Sequence, residues 1–394
     1  MPSVADAGIA PSQGGHGVCS REPRVKNLSR RHVMALSLAA LPAVTGLLPA
    51  CSSRHSSPEA SGDSSPRGHR RSRPGRTRAG GPDIHTDSEP PLLTETVGLL
   101  MQYAADRGDR DIFDAQHSRV LHHLRSWCGL VSWRATPDLM ETANSSASID
   151  DLTVVRALLD GAERWNDSAA LDLAVDIGRA VMRYQVIDGH LVDAASWTDD
   201  EVTPSSAVQT AYLAVDVMER LTPFEPRWSE VAENSISLLS RLESAQGLYP
   251  EEVTLSQALS PDSYGVPDTT TNAILVLYSA LHLATVKRGG KRTLDHLKRR
   301  WAEGASLAGR YSFADGTPVD GYECVAVYGL ASRLARALGS VAFSDALIER
   351  MLAYQFLDPV VARPAGPLPH RDTTPFDNLQ ALLALVAATE RVQP

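Results

Sequence analysis

From Leu92 onward the sequence is a succession of apolar stripes at helical spacing, and the connections between them alternate between short and long. Leu152, Val155, Leu158 and Leu159 form one such stripe. Apolar residues recurring three and four positions apart share one face of an α-helix and mark its buried side. The spacing predicts helices over 92–105, 112–124, 151–165, 169–185, 205–221, 227–242, 269–286, 292–301, 322–338, 344–354 and 376–389, with few runs of strand alternation. Within a pair the link is as short as Arg107-Gly108-Asp109 or Asn166-Asp167, whereas the links between pairs are long and carry Trp, Tyr, Asp, Ser and Pro. Five hairpins and a final helix are expected, in an all-α toroid with the first helix of each pair inside and the second outside.

The first 89 residues have another character. Ser29-Arg30-Arg31 precedes an apolar run from Val33 to Leu48, and Leu48-Pro49-Ala50-Cys51 follows. The run is short for a membrane-spanning helix, and small residues ending in Cys match a bacterial lipobox, so residues 1–50 read as a lipoprotein signal and Cys51 as the lipidated residue. The paired arginines resemble a twin-arginine export signal. Residues 51–89 are rich in Ser, Arg, Gly and Pro and cannot bury a core; they read as a disordered tether. Residues 90–394 form the folded domain, placed outside the cytoplasmic membrane by its lipid anchor.

That domain holds 26 Lys and Arg against 40 Asp and Glu, near −14, which excludes nucleic acid as a natural partner. Beyond Cys51 only Cys128 and Cys324 fall after the signal, with no CxxC pair and no Cys/His cluster at metal spacing. Both read as buried small residues, and neither a metal nor a cofactor is expected. A tethered domain of this size can work alone, so a monomer is expected.

In a toroid the inner-helix starts meet at one rim, together with the long loops. In order they are Thr94-Glu95, Asp150-Asp151, Pro204-Ser205-Ser206, Asp268-Thr269-Thr270, Tyr322-Glu323 and Phe376-Asp377, and five of the six carry a carboxylate. Acids suit the unpaired N–H groups of a first helical turn, so capping alone accounts for any one of them. Crowded together they repel, and some rise toward the protonated state that acid catalysis requires.

Four stretches carry a family resemblance: LTETVGLLMQYAADRGDRDIFD, SWRATPDLMETANSSASIDDLTVVRALLDGAERW, PSSAVQTAYLAVDVM, and ECVAVYGLASRLA with the later PFDNLQALLAL. From about Leu92 to Ala388 the chain resembles glycoside hydrolase family 8, in the six-hairpin glycosidase superfamily, and above all its divergent exopolysaccharide-hydrolase branch. The resemblance implies an (α/α)6 barrel and inverting cleavage of a β-linked glycan such as a secreted β-glucan or exopolysaccharide. It implies Glu95 as general acid and Asp150 and Asp151 as contacts of the sugar at the cleavage point. A base across the cleft, roughly 6.5 to 9.5 Å from the acid, would activate water. Asp268 is the nearest match to that base, with Asp262 in reserve. The sequence departs from the family pattern at Thr96, Val97 and Leu99 around Glu95, and at Ile149, where many members have Asp.

Pyranose rings stack on aromatic faces. Trp133, Trp197 and Tyr264 lie in long inter-hairpin loops and are candidate sugar platforms, whereas Trp127, Trp165, Trp228 and Trp301 read as packing. His122, His123 and His282 lie on helices without ligand-spaced partners and read as structural. A non-catalytic glycan-binding lipoprotein on the same scaffold is the alternative to a hydrolase; a polysaccharide lyase would need a Tyr/His or Arg constellation that the sequence does not assemble.

Overall fold

The computed structural model describes residues 91–260, 269–319, 321–354 and 374–389. The signal, Cys51, the tether, Asp262, Tyr264 and Asp268 lie outside these residues. The described chain folds into helical hairpins: α1 (Thr94–Arg107) with α2 (Arg110–Arg119), α3 (Ser148–Trp165) with α4 (Ser168–Tyr184), and α5 (Val215–Leu221) with α6 (Trp228–Leu242). After the short α7 (Leu255–Leu259) come α8 (Ala273–Thr285) with α9 (Lys291–Gly304), α10 (Val325–Ala337) with α11 (Val341–Leu352), and the final α12 (Pro375–Thr389).

Burial separates two kinds of helix. α8, AILVLYSALHLAT, is apolar on nearly every side and its residues are buried all round, as a helix enclosed by others must be. α9, KRTLDHLKRRWAEG, buries only a stripe of Thr293, Leu294, His296 and Leu297 and gives its Lys and Arg to solvent. The enclosed helices touch in a cyclic order: α1 on α3, α3 on α5 and the 3-10 turn before it (Thr210–Tyr212), α5 on α8, α8 on α10, α10 on α12, and α12 on α1. The two helices of each pair pack on one another.

The short links follow from local chemistry. Gly108 stands at φ 74°, a left-handed position that favours glycine, and ends α1. Asn166 does the same for α3 at φ 51°, after which Asp167 accepts from the N–H groups of Ala169 and Ala170 and caps α4.

The long links contain strands that the sequence did not announce. β1 (Leu92–Leu93) pairs antiparallel with β2 (Arg134–Ala135). β3 (Ser145–Ala147), from the link between α2 and α3, joins β6 (Ala194–Trp197) and β7 (Val202–Pro204), from the link between α4 and α5, in a three-stranded sheet, and β4 (Val186–Ile187) pairs with β5 (His190–Leu191) in that second link. β8 (Ala207–Gln209) pairs with β9 (Glu252–Thr254), and β10 (Thr270–Asn272) with β11 (Arg310–Ser312). β1, β3 and β10 each run directly into an enclosed helix, so these small sheets aim the helix starts. The helix expected over 205–221 is corrected here: residues 207–209 are β8, a 3-10 turn follows, and α-helix begins only at Val215.

Candidate active site

Thr94 fixes the start of α1. Its N–H donates to the Trp133 carbonyl at 2.9 Å and its hydroxyl donates to the Ser132 carbonyl, tying the helix start to the loop before β2. The next residue, Glu95, is half-buried, and the Tyr278 hydroxyl from α8 neighbours its carboxyl. Burial pushes the Glu95 carboxyl up to about 7, with the Tyr278 hydroxyl working against the rise.

Asp150 and Asp151 are both in the first turn of α3 but serve different ends. Asp151 is fully enclosed; one oxygen accepts from the Val131 N–H at 2.7 Å and the other from the Ser146 hydroxyl. Burial pushes it up to about 7 against these donors and Gln185. Its carboxyl stitches the loop at Val131 to β3 from within the core. Asp150 is buried beside Glu95: burial first, then the charge of Glu95, then that of Asp151 raise it well above the ordinary carboxylate range. Neighbouring carboxyls in this setting titrate as a pair, so proton uptake by one favours ionisation of the other.

Two further rim acids among the described residues are used structurally. Asp377 at the start of α12 accepts from the Ala326 N–H at 3.1 Å, from the Cys324 thiol at 3.0 Å, and from both the N–H and hydroxyl of Thr374. Glu323 accepts from the Arg350 guanidinium at 2.7 and 3.0 Å and from the Tyr328 hydroxyl. Glu95 and Asp150 remain as the facing acids.

Three groups around them were not singled out in the sequence. Tyr212, ending the 3-10 turn, has its hydroxyl raised by burial and then by the charges of Asp150, Glu95, Asp193 and Glu252, which places it among the rim acids. Asp193, on the link before β6, is buried and its backbone carbonyl accepts from the Ser148 N–H at 2.8 Å, seating the start of α3. Tyr278 reaches Glu95 from α8. Asp193 is an acidic residue near a turn like many others, and the two tyrosines lie in apolar runs and look like core.

The aromatic expectations divide. Trp133 is half-buried beside the start of α1, with the Arg134 guanidinium 4.6 Å over its ring. Trp197, expected as a platform, is packed into the hydrophobic core at 8% exposure, because β6 pairs on both sides and turns the indole inward. Trp127, expected as packing, is corrected: it is 56% exposed, with its indole N–H donating to the Thr198 carbonyl at 2.9 Å. Cys128 is half-buried rather than buried, whereas Cys324 is buried as expected. His282 is buried between Asp216 and the Ala211 carbonyl, each 3.2 Å away, the structural role expected of it.

A cavity of about 530 Å³ lies further along the helices, lined by Gln102, Arg156, Asp216, His282 and Arg333 among others. Burial would raise Asp216, but the bidentate Arg156 at 2.8 and 2.9 Å, with His282, outweighs it and holds the carboxyl well below its usual range. Such paired charge neutralises itself and offers no protonated acid.

No family model matches the chain. A Bacillus subtilis protein described as "Putative lipoprotein YdaJ" is 27% identical over 304 residues, covering 76% of this chain and 81% of that protein. Among solved structures, an alpha-amylase from Clostridium perfringens is similar with a TM-score of 0.67 and 23% identity, covering 75% of this chain and 87% of its own. PssZ from Listeria monocytogenes is similar at 0.60 and 17%, covering 76% and 87%. Endoglucanase Cel10 from Klebsiella pneumoniae, a family 8 glycosyl hydrolase, is similar at 0.55 and 16%, covering 76% and 91%. Beneath wide sequence divergence, the chain is therefore built on the fold of the family 8 glycoside hydrolases.

Proposed function

We propose that the protein is an inverting glycoside hydrolase whose hairpins close into an (α/α)6 toroid, cleaving a secreted β-linked polysaccharide outside the cytoplasmic membrane. The observation that carries this reading is Glu95: a carboxyl in the first turn of an enclosed helix, pushed up to about 7 and faced by Asp150. The cyclic order of helix contacts supports the toroid. An acid that holds its proton near neutrality can give it to the leaving glycosidic oxygen and lose it in the same step. Asp150 would hydrogen-bond the sugar at the cleavage point, and Trp133 would offer a ring face.

Asp268 is proposed as the base that takes a proton from the attacking water. Its neighbour Thr269 is held just before β10, the strand that leads into α8: the Thr269 carbonyl accepts from the Phe313 N–H at 3.1 Å, and the Thr271 hydroxyl donates to the Tyr249 carbonyl at 2.8 Å. Water adds to the anomeric carbon as the glycosidic bond breaks, the proton from Glu95 leaves with the departing sugar, and the anomeric configuration inverts.

We further propose a lipid anchor at Cys51 with residues 51–89 as tether; the description of the YdaJ relative as a lipoprotein supports it. The described residues contain no helix long and apolar enough to cross a membrane.

The test is release of new reducing ends by the full chain from a panel of β-glucans, xylans, α-glucans and the producer's own exopolysaccharide. The α-glucans belong in the panel because one similar structure is an amylase. Glu95→Gln should lower turnover by about 10²- to 10⁴-fold while polymer binding persists. Full activity in Glu95→Gln would remove Glu95 as the acid; binding without cleavage by the parent would favour a glycan-binding lipoprotein.

A further inference from the structure

We propose that Tyr278, Gln380 and Arg333, from three different helices, form a positioning chain that fixes the Tyr278 hydroxyl as a hydrogen-bond donor to the Glu95 carboxyl. This rests on the reading of Glu95 as the general acid.

Direction along the chain follows from donor and acceptor capacity. Arg333 on α10 has only N–H groups to offer, and one nitrogen donates to the Gln380 Oε1 at 3.1 Å. That contact decides which end of the Gln380 amide is oxygen. The amide nitrogen therefore faces Tyr278, and Gln380 Nε2 donates to the Tyr278 hydroxyl oxygen at 2.6 Å. With its oxygen accepting from the amide, the phenol turns its single proton toward its other neighbour, the Glu95 carboxyl. Gln380 is wholly buried and Tyr278 is 7% exposed, so water cannot substitute readily for either partner.

Close packing holds the middle link in place. A Cβ at Gly329 of α10 would stand 2.7 Å from the Gln380 carbonyl oxygen, so α12 approaches α10 as nearly as it does only because that position is glycine.

The chemistry fits an acid that must be ready to ionise. A fixed donor stabilises the carboxylate that forms as the proton leaves and opposes the rise that burial imposes on Glu95. Tyr278 remains a donor, because burial and then the Glu95 charge raise its own hydroxyl well above its ordinary range. The other titratable and charged groups facing this pair are Asp150 and Arg156 on α3, Tyr212 on the 3-10 turn, Arg333 on α10, and His282 on α8, whose ring stacks on Tyr278 at 5.9 Å. Of the chain members, Gln380 alone can be changed without changing a charge or removing a titratable group.

The experiment is a pH titration of the Glu95 side-chain carboxyl by ¹³C NMR in the full chain, with its resonance assigned by its loss in Glu95→Gln. Tyr278→Phe should raise the midpoint by about half a unit or more. Gln380→Met, of similar length and without a donor, should raise it in the same direction by less. The double variant should match Tyr278→Phe alone, since Gln380 acts only through Tyr278. On any glycan the parent cleaves, Tyr278→Phe should lower kcat with little change in KM. A merely structural Gln380 would leave the Glu95 midpoint unmoved or add its effect to that of Tyr278→Phe, and either result overturns the chain. Should Gln380→Met fold poorly by circular dichroism, Tyr278→Phe, which deletes one oxygen, decides by itself: an unmoved midpoint overturns the proposal. The titration needs no turnover. Unmoved midpoints in an active enzyme would remove the chain and keep the hydrolase; shifted midpoints in a protein that cleaves no glycan would do the reverse.

Discussion

Asp150 and Asp151 are neighbours in sequence, and a residue's rotation of about 100° around α3 sends them to different tasks. Asp151 accepts from the Val131 N–H and the Ser146 hydroxyl. Its removal leaves a buried N–H without a partner, so Asp151→Ala should cost about 1–3 kcal/mol, read as a lower urea midpoint with an unchanged slope. Asp150→Asn should unfold near the parent's midpoint yet lose turnover. Equal urea midpoints for the parent and Asp151→Ala would contradict the structural assignment. The sequence marked both as first-turn acids but could not say which faced the cleft, because that depends on where the loop at Val131 returns.

The enclosed helices were legible because their apolar stripes are long; the strands were not, because each has only two to four residues. Periodicity needs several repeats to register. At 205–221 the apolar spacing suggested one helix, but Ala207–Gln209 pairs with Glu252–Thr254, more than forty residues away. The same limit hid Tyr278 and Gln380, partners 102 positions apart that only the packing of α8, α10 and α12 brings together. That packing is testable at Gly329. Gly329→Ala would push α12 off α10 at an overpacking cost of about 1–3 kcal/mol, so the melting temperature should fall and the Glu95 midpoint should rise as Gln380 withdraws. A variant that melts like the parent would show that α10 and α12 have room to spare.

Across the whole molecule, the facing acids tie catalysis to stability. Glu95 rises from its ordinary 4.5 to about 7 and Asp151 from 3.8 to about 7, so the folded state binds more protons than the unfolded chain between those limits. The stability these neutral carboxyls contribute is complete below about pH 4 and is lost as pH rises through about 7, by an amount on the order of 1–3 kcal/mol per group. Asp216 works in the opposite sense: its lowered carboxyl contributes stability above its ordinary 3.8 that disappears only in stronger acid. His117, His282 and His296, lowered by burial, also work in the opposite sense by adding stability as pH rises toward 6.5, so the Glu95 contribution is read as the difference in melting temperature between Glu95→Gln and the parent across pH 5 to 8. Turnover should share the upper limit, because a general acid ionised above about 7 has no proton to give. Glu95→Gln separates the two effects: it cannot ionise, so it should melt close to the parent at pH 5 and above it at pH 8, while turnover is lost at both. A Glu95→Gln variant with the parent's full slope from pH 5 to 8 would mean that Glu95 is ionised at neutrality and unable to serve as the acid. The stability that Glu95 forgoes near neutrality is therefore the thermodynamic signature of its holding a proton to donate.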